Sequence, residues 1–399
     1  MQFFTAEDYL KIDIANNFGL DKKDWDERIE WVNANEDRLM ELLDEAEEQP
    51  LFYAGVKALY QSQAGEAIGY PISLDATSSG LQILSCLCHD RKAALLCNVI
   101  STGHREDAYT NIYHKLCEFI GDKDKIQRSD VKRAVMTSLY SSEAIPKEVF
   151  GEKLYPAFEH IMNQEAPLAW ELNKAMIALW NANAKEYNWT MPDGFEVHFE
   201  VEKKVKQIVH FDNMPFEITT VVNEPTEKGR CLCANMVHSI DGMIVREMTA
   251  RCSYNKKHIN YLKKILKTKS YQQKSNDDKH SYMVERLWKL YEDTGYLSAR
   301  ILKYLNHKNF SLVDTEAIQD LINTLPEEPF DMVWVHDCAK IHPNYGNDVR
   351  LQYNLQLALI AKSNLLKYFL KQITGVDIEV VDKYPNMYQE ILEAEYALC

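Results

Sequence analysis

Apolar positions recur every three or four residues over residues 5–48, where Trp25, Ile29, Val32, Leu39, Leu42 and Leu43 predict helices. Thr5-Ala-Glu-Asp8 offers a capping box at the front of that region. Pro50 and the glycine-containing stretch 65–71 mark its boundary. Two short apolar runs then interrupt the helical rhythm, Tyr70-Pro-Ile-Ser-Leu74 and Met332-Val-Trp-Val335, and each predicts a strand. Further helices are predicted over about 79–99, 104–121, 126–143, 156–187 and 231–250. Between the last two, Phe195, Val197, Phe199 and Val201, and later Phe216, Ile218, Thr220 and Val222, alternate with polar residues. That pattern predicts a β-hairpin or small sheet over 195–224, turning near Asn213-Met-Pro215. Residues 255–325 are rich in Lys and Tyr and read as mostly helical, with a polar break at 272–279. Two short strands over 331–343 flank a tight turn at His336-Asp337, followed by a helix over 347–373 and a short strand at 376–381. The fold class is therefore α+β and mostly helical, without internal repeats.

Composition narrows the class. The 399 residues suffice for two or three domains, and 46% hydrophobic residues provide a substantial core, which excludes global disorder. The start of the chain lacks the basic-then-apolar pattern of a signal peptide, and no apolar run approaches a membrane span. A cytoplasmic protein with no membrane partner is the expectation. Nine cysteines form no regular framework; Cys86/Cys88 and Cys231/Cys233 are C-x-C pairs. They read as reduced thiols, with structural zinc as the alternative. The net charge of −15 argues against nucleic-acid binding as a whole-surface property. The charge is uneven, however: residues 21–50 hold twelve acids and four bases, whereas 251–274 hold eight Lys or Arg and no acid. That basic tract supplies either a local footprint for a polyanion or a solvated helical face.

Three constellations carry chemistry. Asp75 and Asp337 each follow a predicted strand, and small residues (Ala76, Ser78, Ser79, Gly80) follow the first. Two strand-borne carboxylates meeting in the fold suit a pair of Mg²⁺ ions, each taking one or two carboxylates plus phosphates and water. Such a pair stabilises the attacking and leaving oxygens of phosphoryl transfer together. Arg128, Lys132 and Tyr140 are spaced four and eight apart, so a helix presents two cations and an aromatic ring on one face, fit to clamp a triphosphate and stack on a base or ribose. Asn235 and His238, three apart in Asn235-Met-Val-His238-Ser-Ile-Asp241, can place two polar groups toward a minor groove.

Together these elements resemble the single-subunit, phage-type DNA-directed RNA polymerases, the class with bacteriophage and mitochondrial members. Asp75-Ala-Thr-Ser-Ser-Gly-Leu-Gln82 is similar to that family's motif A, D-G-x-x-x-G-[IL]-Q. Arg128-x3-Lys132-Arg133-x-Val-Met-Thr-x-x-Tyr140 resembles motif B, and His336-Asp337-Cys338 resembles motif C, H-D-S. Asn235-x-x-His238-Ser-x-Asp241, Pro192-Asp-Gly-Phe195 and the ending Ile391-Leu-Glu-Ala-Glu-Tyr-Ala-Leu-Cys399 resemble further family segments, in the family's order. The resemblance implies a right-hand polymerase fold with palm and fingers, a reduced or missing thumb and no N-terminal promoter domain. It divides the chain into an N-terminal helical segment (1–64), a palm part with motif A (65–103), fingers with motif B and specificity-hairpin-like strands (104–238), a basic helical insertion (239–330), and a second palm part with motif C and a C-terminal foot (331–399).

The resemblance also assigns roles. Asp75 and Asp337, helped by the Ala76 carbonyl, would hold two Mg²⁺. Arg128, Lys132, Arg133, Tyr140 and Gly80 would surround the incoming nucleotide, and Asn235, His238, Gln82 and His336 would face nucleic acid. The implied activity is transfer of nucleotides from NTPs to an RNA 3′ end on a DNA template. Departures are Ser141 and Ala339, where the family has glycine and an aromatic residue, and the 97 residues between His238 and His336. Only 74 residues precede Asp75, so the chain looks like the C-terminal two thirds of a polymerase. It resembles the large chain of the two-chain enzymes of Enquatrovirus-type podophages. This implies a small partner chain carrying the missing part, and dependence on single-stranded template or on a recruiting single-stranded-DNA-binding protein. The alternatives are an A-family-like DNA polymerase and a non-catalytic nucleic-acid-binding scaffold. The first is disfavoured because Ser78, Ser79 and Gly80 leave no bulky acidic group after Asp75 to exclude a ribose hydroxyl.

Overall fold

The computed structural model describes residues 1–121, 126–140, 142–212, 214–227, 231–269, 279–380 and 387–399. Ser141, Asn213 and all but the last residue of the predicted polar break lie outside the described residues. The described chain is α+β and mostly helical.

The chain opens with helices α1 (Ala6–Ala15), α2 (Trp25–Asn35) and α3 (Gln49–Gln63). The Thr5–Asp8 capping box forms: the Asp8 amide donates to Thr5 Oγ1 at 3.1 Å, and the Thr5 amide donates to the Asp8 carboxylate at 3.0 Å. Strand β1 (Ile72–Asp75) follows and runs into α4 (Ser79–Leu87) and α5 (Arg91–Leu96). The front helices are fastened to β1 by buried Asp13, which accepts from the Ser73 amide (2.8 Å) and the Tyr70 hydroxyl (2.7 Å). The single helix predicted over 79–99 is thus two. Asp90 divides them: one carboxylate oxygen caps α5 through the Ala93 amide, and the other accepts from the Leu168 and Ala169 amides.

Helices α6 (Ala108–Ile120), α7 (Arg128–Leu139), α8 (Ala144–Glu165) and α9 (Pro167–Ala178) come next. The helix predicted to reach 187 stops earlier. Residues 186–190 form a strand instead, because Tyr187 and Trp189 alternate inward with period two and Tyr187 stacks on Phe199. The sheet expected over 195–224 is therefore two separate hairpins: β2 (Glu186–Thr190) with β3 (Glu196–Glu200), and β4 (Glu202–Phe211) with β5 (Met214–Asn223).

Helix α10 (Cys231–Cys252) returns to the main core and continues unbroken through residue 239. A second, smaller core then gathers α11 (Lys256–Thr268), α12 (Ser281–Thr294) and α13 (Thr315–Asn323) around Leu262, Val284, Phe310 and Ile318. The hairpin β6 (Val333–Val335) and β7 (Cys338–Ile341) brings the chain back to β1. It is followed by α14 (Gly346–Lys362), α15 (Leu365–Thr374) and α16 (Tyr388–Leu392). The helix predicted over 347–373 is broken at Ser363, whose extended backbone ends α14. No strand forms over 376–380, and 381 is outside the described residues.

The central sheet has the order β1-β7-β6, all antiparallel, with Asp75 opposite Cys338 and Val335 opposite Cys338 across the hairpin. The chain's last residues line the free edge of β1. The Asp75 amide donates to the Cys399 carbonyl (3.1 Å), and the Cys399 amide donates to the Asp75 carbonyl (2.9 Å). Buried Arg350 on α14 ties both ends of the chain together, donating to the Gln2 and Glu395 carbonyls and pairing with the Glu395 carboxylate at 3.1 Å. All nine cysteines are free thiols. No described helix is long and apolar enough to cross a membrane.

Candidate active site

The register of β1 on β7 decides where the two aspartates lie. Asp75 closes β1 opposite Cys338, so Asp337, one residue earlier in the β6–β7 turn, stands beside it. His336 takes the left-handed conformation (φ 58°) that the two-residue turn requires. Both carboxylates face one cleft of about 610 Å³. Asp75 opens to solvent through this cleft but is hemmed by protein elsewhere. Desolvation, then the charge of Asp337, pushes its carboxyl up to about 6, against the Ala76 amide and Lys340, which favour ionisation.

Lys132, Met136, Leu139 and Tyr140 enter the cleft from α7 and its C-terminal cap. Lys132 is exposed, has no carboxylate partner among the described residues, and lies 5.8 Å from the Tyr109 ring centre. Tyr140 packs on His238 of α10, ring centres 4.8 Å apart. Gly80 makes that placement possible, since a Cβ there would meet the Tyr140 hydroxyl at 3.2 Å. Burial first, and then nearby acids, push the Tyr140 hydroxyl up to about 12, so it stays protonated.

Other residues singled out in the sequence sit differently. Arg128 does not line the cleft. Its Nε donates to Thr110 Oγ1 at 2.6 Å and its guanidinium pairs with Asp107, the N-cap of α6. Arg133 points away toward Glu148, 3.5 Å distant, because five helical residues from Arg128 rotate it off the shared face. Asn235 turns its amide back to the Cys231 carbonyl at 2.9 Å. Gln82 is completely buried, so direct contact with nucleic acid is corrected to a structural part. Its amide nitrogen donates to Thr77 Oγ1, the Cys97 carbonyl and the Ala397 carbonyl, and its oxygen accepts from the Tyr353 hydroxyl at 2.8 Å. His336 and Ala76 line the cleft.

Tyr109 and Asp241 add a further phenol and a further carboxylate to the cleft. Tyr109 lies at the start of α6 and shares a 3.2 Å hydrogen bond with Ser78 Oγ; no spacing signal marks it. Asp241 was visible within the Asn235–Asp241 segment but became significant only as a third carboxylate in the cleft. It accepts from Ser79 Oγ at 3.0 Å, and desolvation, with some help from Asp337, pushes it up to about 7. Its sign is fixed by linkage. The unfolded chain loses this proton near the ordinary value of 3.8 and the folded chain near 7, so ionisation costs stability as pH rises through that interval. Asp241→Asn stays neutral and still accepts from Ser79. Urea unfolding in EDTA should find it more stable than the parent by about 2–4 kcal/mol at pH 8. The two should converge below about pH 4; equal stability at pH 8 would refute the raised value.

The cleft thus holds one carboxylate at the end of β1 and another in the β6–β7 turn beside it, with a lysine that has no carboxylate partner among the described residues and a tyrosine. Residues 5–161, which carry Asp75, Lys132 and Tyr140, match the family model described as DNA-dependent RNA polymerase. The chain is 31% identical over 154 residues to a probable DNA-directed RNA polymerase of Neurospora crassa, covering 33% of this chain and 17% of that protein. It is 23% identical over 299 residues to the DNA-directed RNA polymerase of Pseudomonas phage phiKMV, covering 58% and 36%. It is 28% identical over 159 residues to the mitochondrial DNA-directed RNA polymerase of Schizosaccharomyces pombe, covering 33% and 14%. The matches thus span between about a seventh and little more than a third of these relatives' length. The chain is similar to phage and mitochondrial DNA-directed RNA polymerases, the same family that its motifs resemble.

Proposed function

We propose that this chain is the catalytic large subunit of a DNA-directed RNA polymerase, adding nucleotides from NTPs to an RNA 3′ end on a DNA template. The observation that carries the reading is the meeting of Asp75 and Asp337 in one cleft with Lys132, Tyr140 and His238. In this reading the β1-β7-β6 sheet is the palm and α6–α9 belong to the fingers.

The donor set fits Mg²⁺. Among the described residues no group of three His, Cys, Asp or Glu forms a closed metal site. Two carboxylates leave the remaining positions of an octahedral ion to phosphate oxygens and water. The raised Asp75 carboxyl also marks a pair of like charges that a dication relieves. Asp75 and Asp337, with the Ala76 carbonyl, would hold two ions, whose charge would stabilise the attacking and leaving oxygens of the transfer. Lys132 meets the triphosphate from the α7 side and neutralises charge on the departing pyrophosphate. Arg128 joins it only after leaving Asp107 and Thr110. The protonated hydroxyl of Tyr140, whose ring packs at a tilt on His238, faces the sugar of the incoming nucleotide, where a 2′-hydroxyl can both donate and accept. Nothing acidic and bulky follows Asp75 to exclude that group.

A small second chain completes the enzyme, and a single-stranded-DNA-binding protein recruits the pair to template. One experiment tests the whole reading. The chain is assayed alone and co-expressed with the small partner on a primed DNA template, with Mg²⁺ and either rNTPs or dNTPs. Extension should need the pair of chains and favour rNTPs by more than about 100-fold, a gap of nearly 3 kcal/mol. Preferred dNTP incorporation would instead establish the DNA polymerase alternative, and absence of extension with either would remove the enzyme reading.

A further inference from the structure

A strongly basic surface of this acidic chain lies away from the cleft, on α11. At about 100° per residue, Lys256, Lys257, Lys263, Lys264 and Lys267 fall within an arc of about 120°. All five are exposed, and α11 contains no acid. Lys256 pairs with Glu328, while the other four have no carboxylate partner among the described residues. The opposite arc of the helix, with Ile259, Leu262 and Ile265, is buried in the second core. The face is therefore held rigidly outward.

Its position relative to the cleft follows from α10. That helix carries His238 and Asp241 in the cleft wall and ends at Cys252, roughly 17 Å further along its axis at 1.5 Å per residue. After three intervening residues α11 begins. Between the two lies a cavity of about 730 Å³ lined by Arg246, His258, Arg300 and Lys303, with no acid in its wall. Arg246 and Arg300 are both anchored on Asp193, and Lys303 is exposed. Arg246 is neutralised by the Asp193 carboxylate, so Arg300 and Lys303 carry the positive charge in the space between α10 and the α11 face.

We propose that the lysine face of α11 is a second nucleic-acid contact, taking the phosphate backbone of the template-bound duplex beyond the end of α10 that lies farther from the cleft. This rests on the polymerase reading above. A membrane surface fits less well, because the apolar side that would enter the lipid is already buried in protein. An acidic protein fits less well too, since the lysine row has no large apolar anchor within it, whereas a regular polyanion needs none.

The test substitutes Lys257, Lys263, Lys264 and Lys267 together by Gln, which keeps helix propensity. Binding is titrated against salt on labelled primed templates with duplexes of about 6 and about 20 base pairs. The longer duplex should lose about 10–100-fold in affinity near 0.1 M salt, with the log–log salt slope shallower by about 3. The shorter one, which does not reach α11, should bind both proteins alike. An unchanged slope on the longer duplex, or an equal loss on both, would overturn the proposal while leaving the polymerase reading intact. A parent chain, with its partner, that binds neither template would overturn both. Loss of binding to phosphatidylserine vesicles without loss on the longer duplex would overturn it in favour of a membrane surface.

Discussion

Asp337→Asn should bind primed template as the parent does and lose nucleotide addition by at least about 10³-fold, some 4 kcal/mol of transition-state stabilisation. The substitution is nearly isosteric and sits in an accessible two-residue turn, so the fold has little reason to change. It removes one of two carboxylates that face the same cleft. It also removes the like charge that helps raise Asp75, so that carboxyl should titrate closer to its ordinary range. Pre-steady-state extension and template binding, measured on the same preparation, check this. Extension within tenfold of the parent would mean that Asp337 does not share a metal pair with Asp75.

Gln82→Leu should fail in a different way. Leucine fills a similar volume but leaves the Tyr353 hydroxyl, 2% exposed, without the acceptor it now donates to. It also removes the donor shared by the Thr77 hydroxyl and the Ala397 carbonyl. Stranding a buried hydroxyl and loosening two more groups predicts a loss of about 2–4 kcal/mol in urea unfolding. Because Thr77 and the chain's end flank Asp75, activity should fall alongside stability, and Asp337→Asn should show no such stability loss. A stability change under about 0.5 kcal/mol would mean that the Gln82 network is not holding the site together.

The two variants separate what is visible in a linear pattern from what is not. Asp75 and Asp337 stood out because each ends an apolar run, and β1 and the β6–β7 hairpin form where those runs predict strands. Lys132 and Tyr140 stood out through helical spacing. The same spacing placed Arg128 with them, whereas the structure turns Arg128 to Asp107, a partner 21 residues away that local periodicity cannot reveal. Gln82 read as part of a nucleic-acid-facing motif; only packing shows that Cys97, Tyr353 and Ala397 consume its amide. The strand at 186–190 was hidden because the preceding apolar run continued in helical phase. The two-residue alternation of Tyr187 and Trp189 became decisive only with β3 to pair against. Asp241 and Tyr109 gained significance through what surrounds them.

Local chemistry, then, was enough to place α6, α7 and α10, the Thr5 capping box, the strand that ends in Asp75 and the charge of α11, since each depends on neighbours within a few residues. The tertiary structure alone decided that β1 lies against β7 in the register that sets Asp75 beside Asp337, that the chain's last residues seal the edge of β1, and that Asp241 shares their cleft. Those outcomes depend on contacts between residues more than 150 positions apart. Their free energy comes from burying surfaces and pairing backbone groups that no short window of sequence contains.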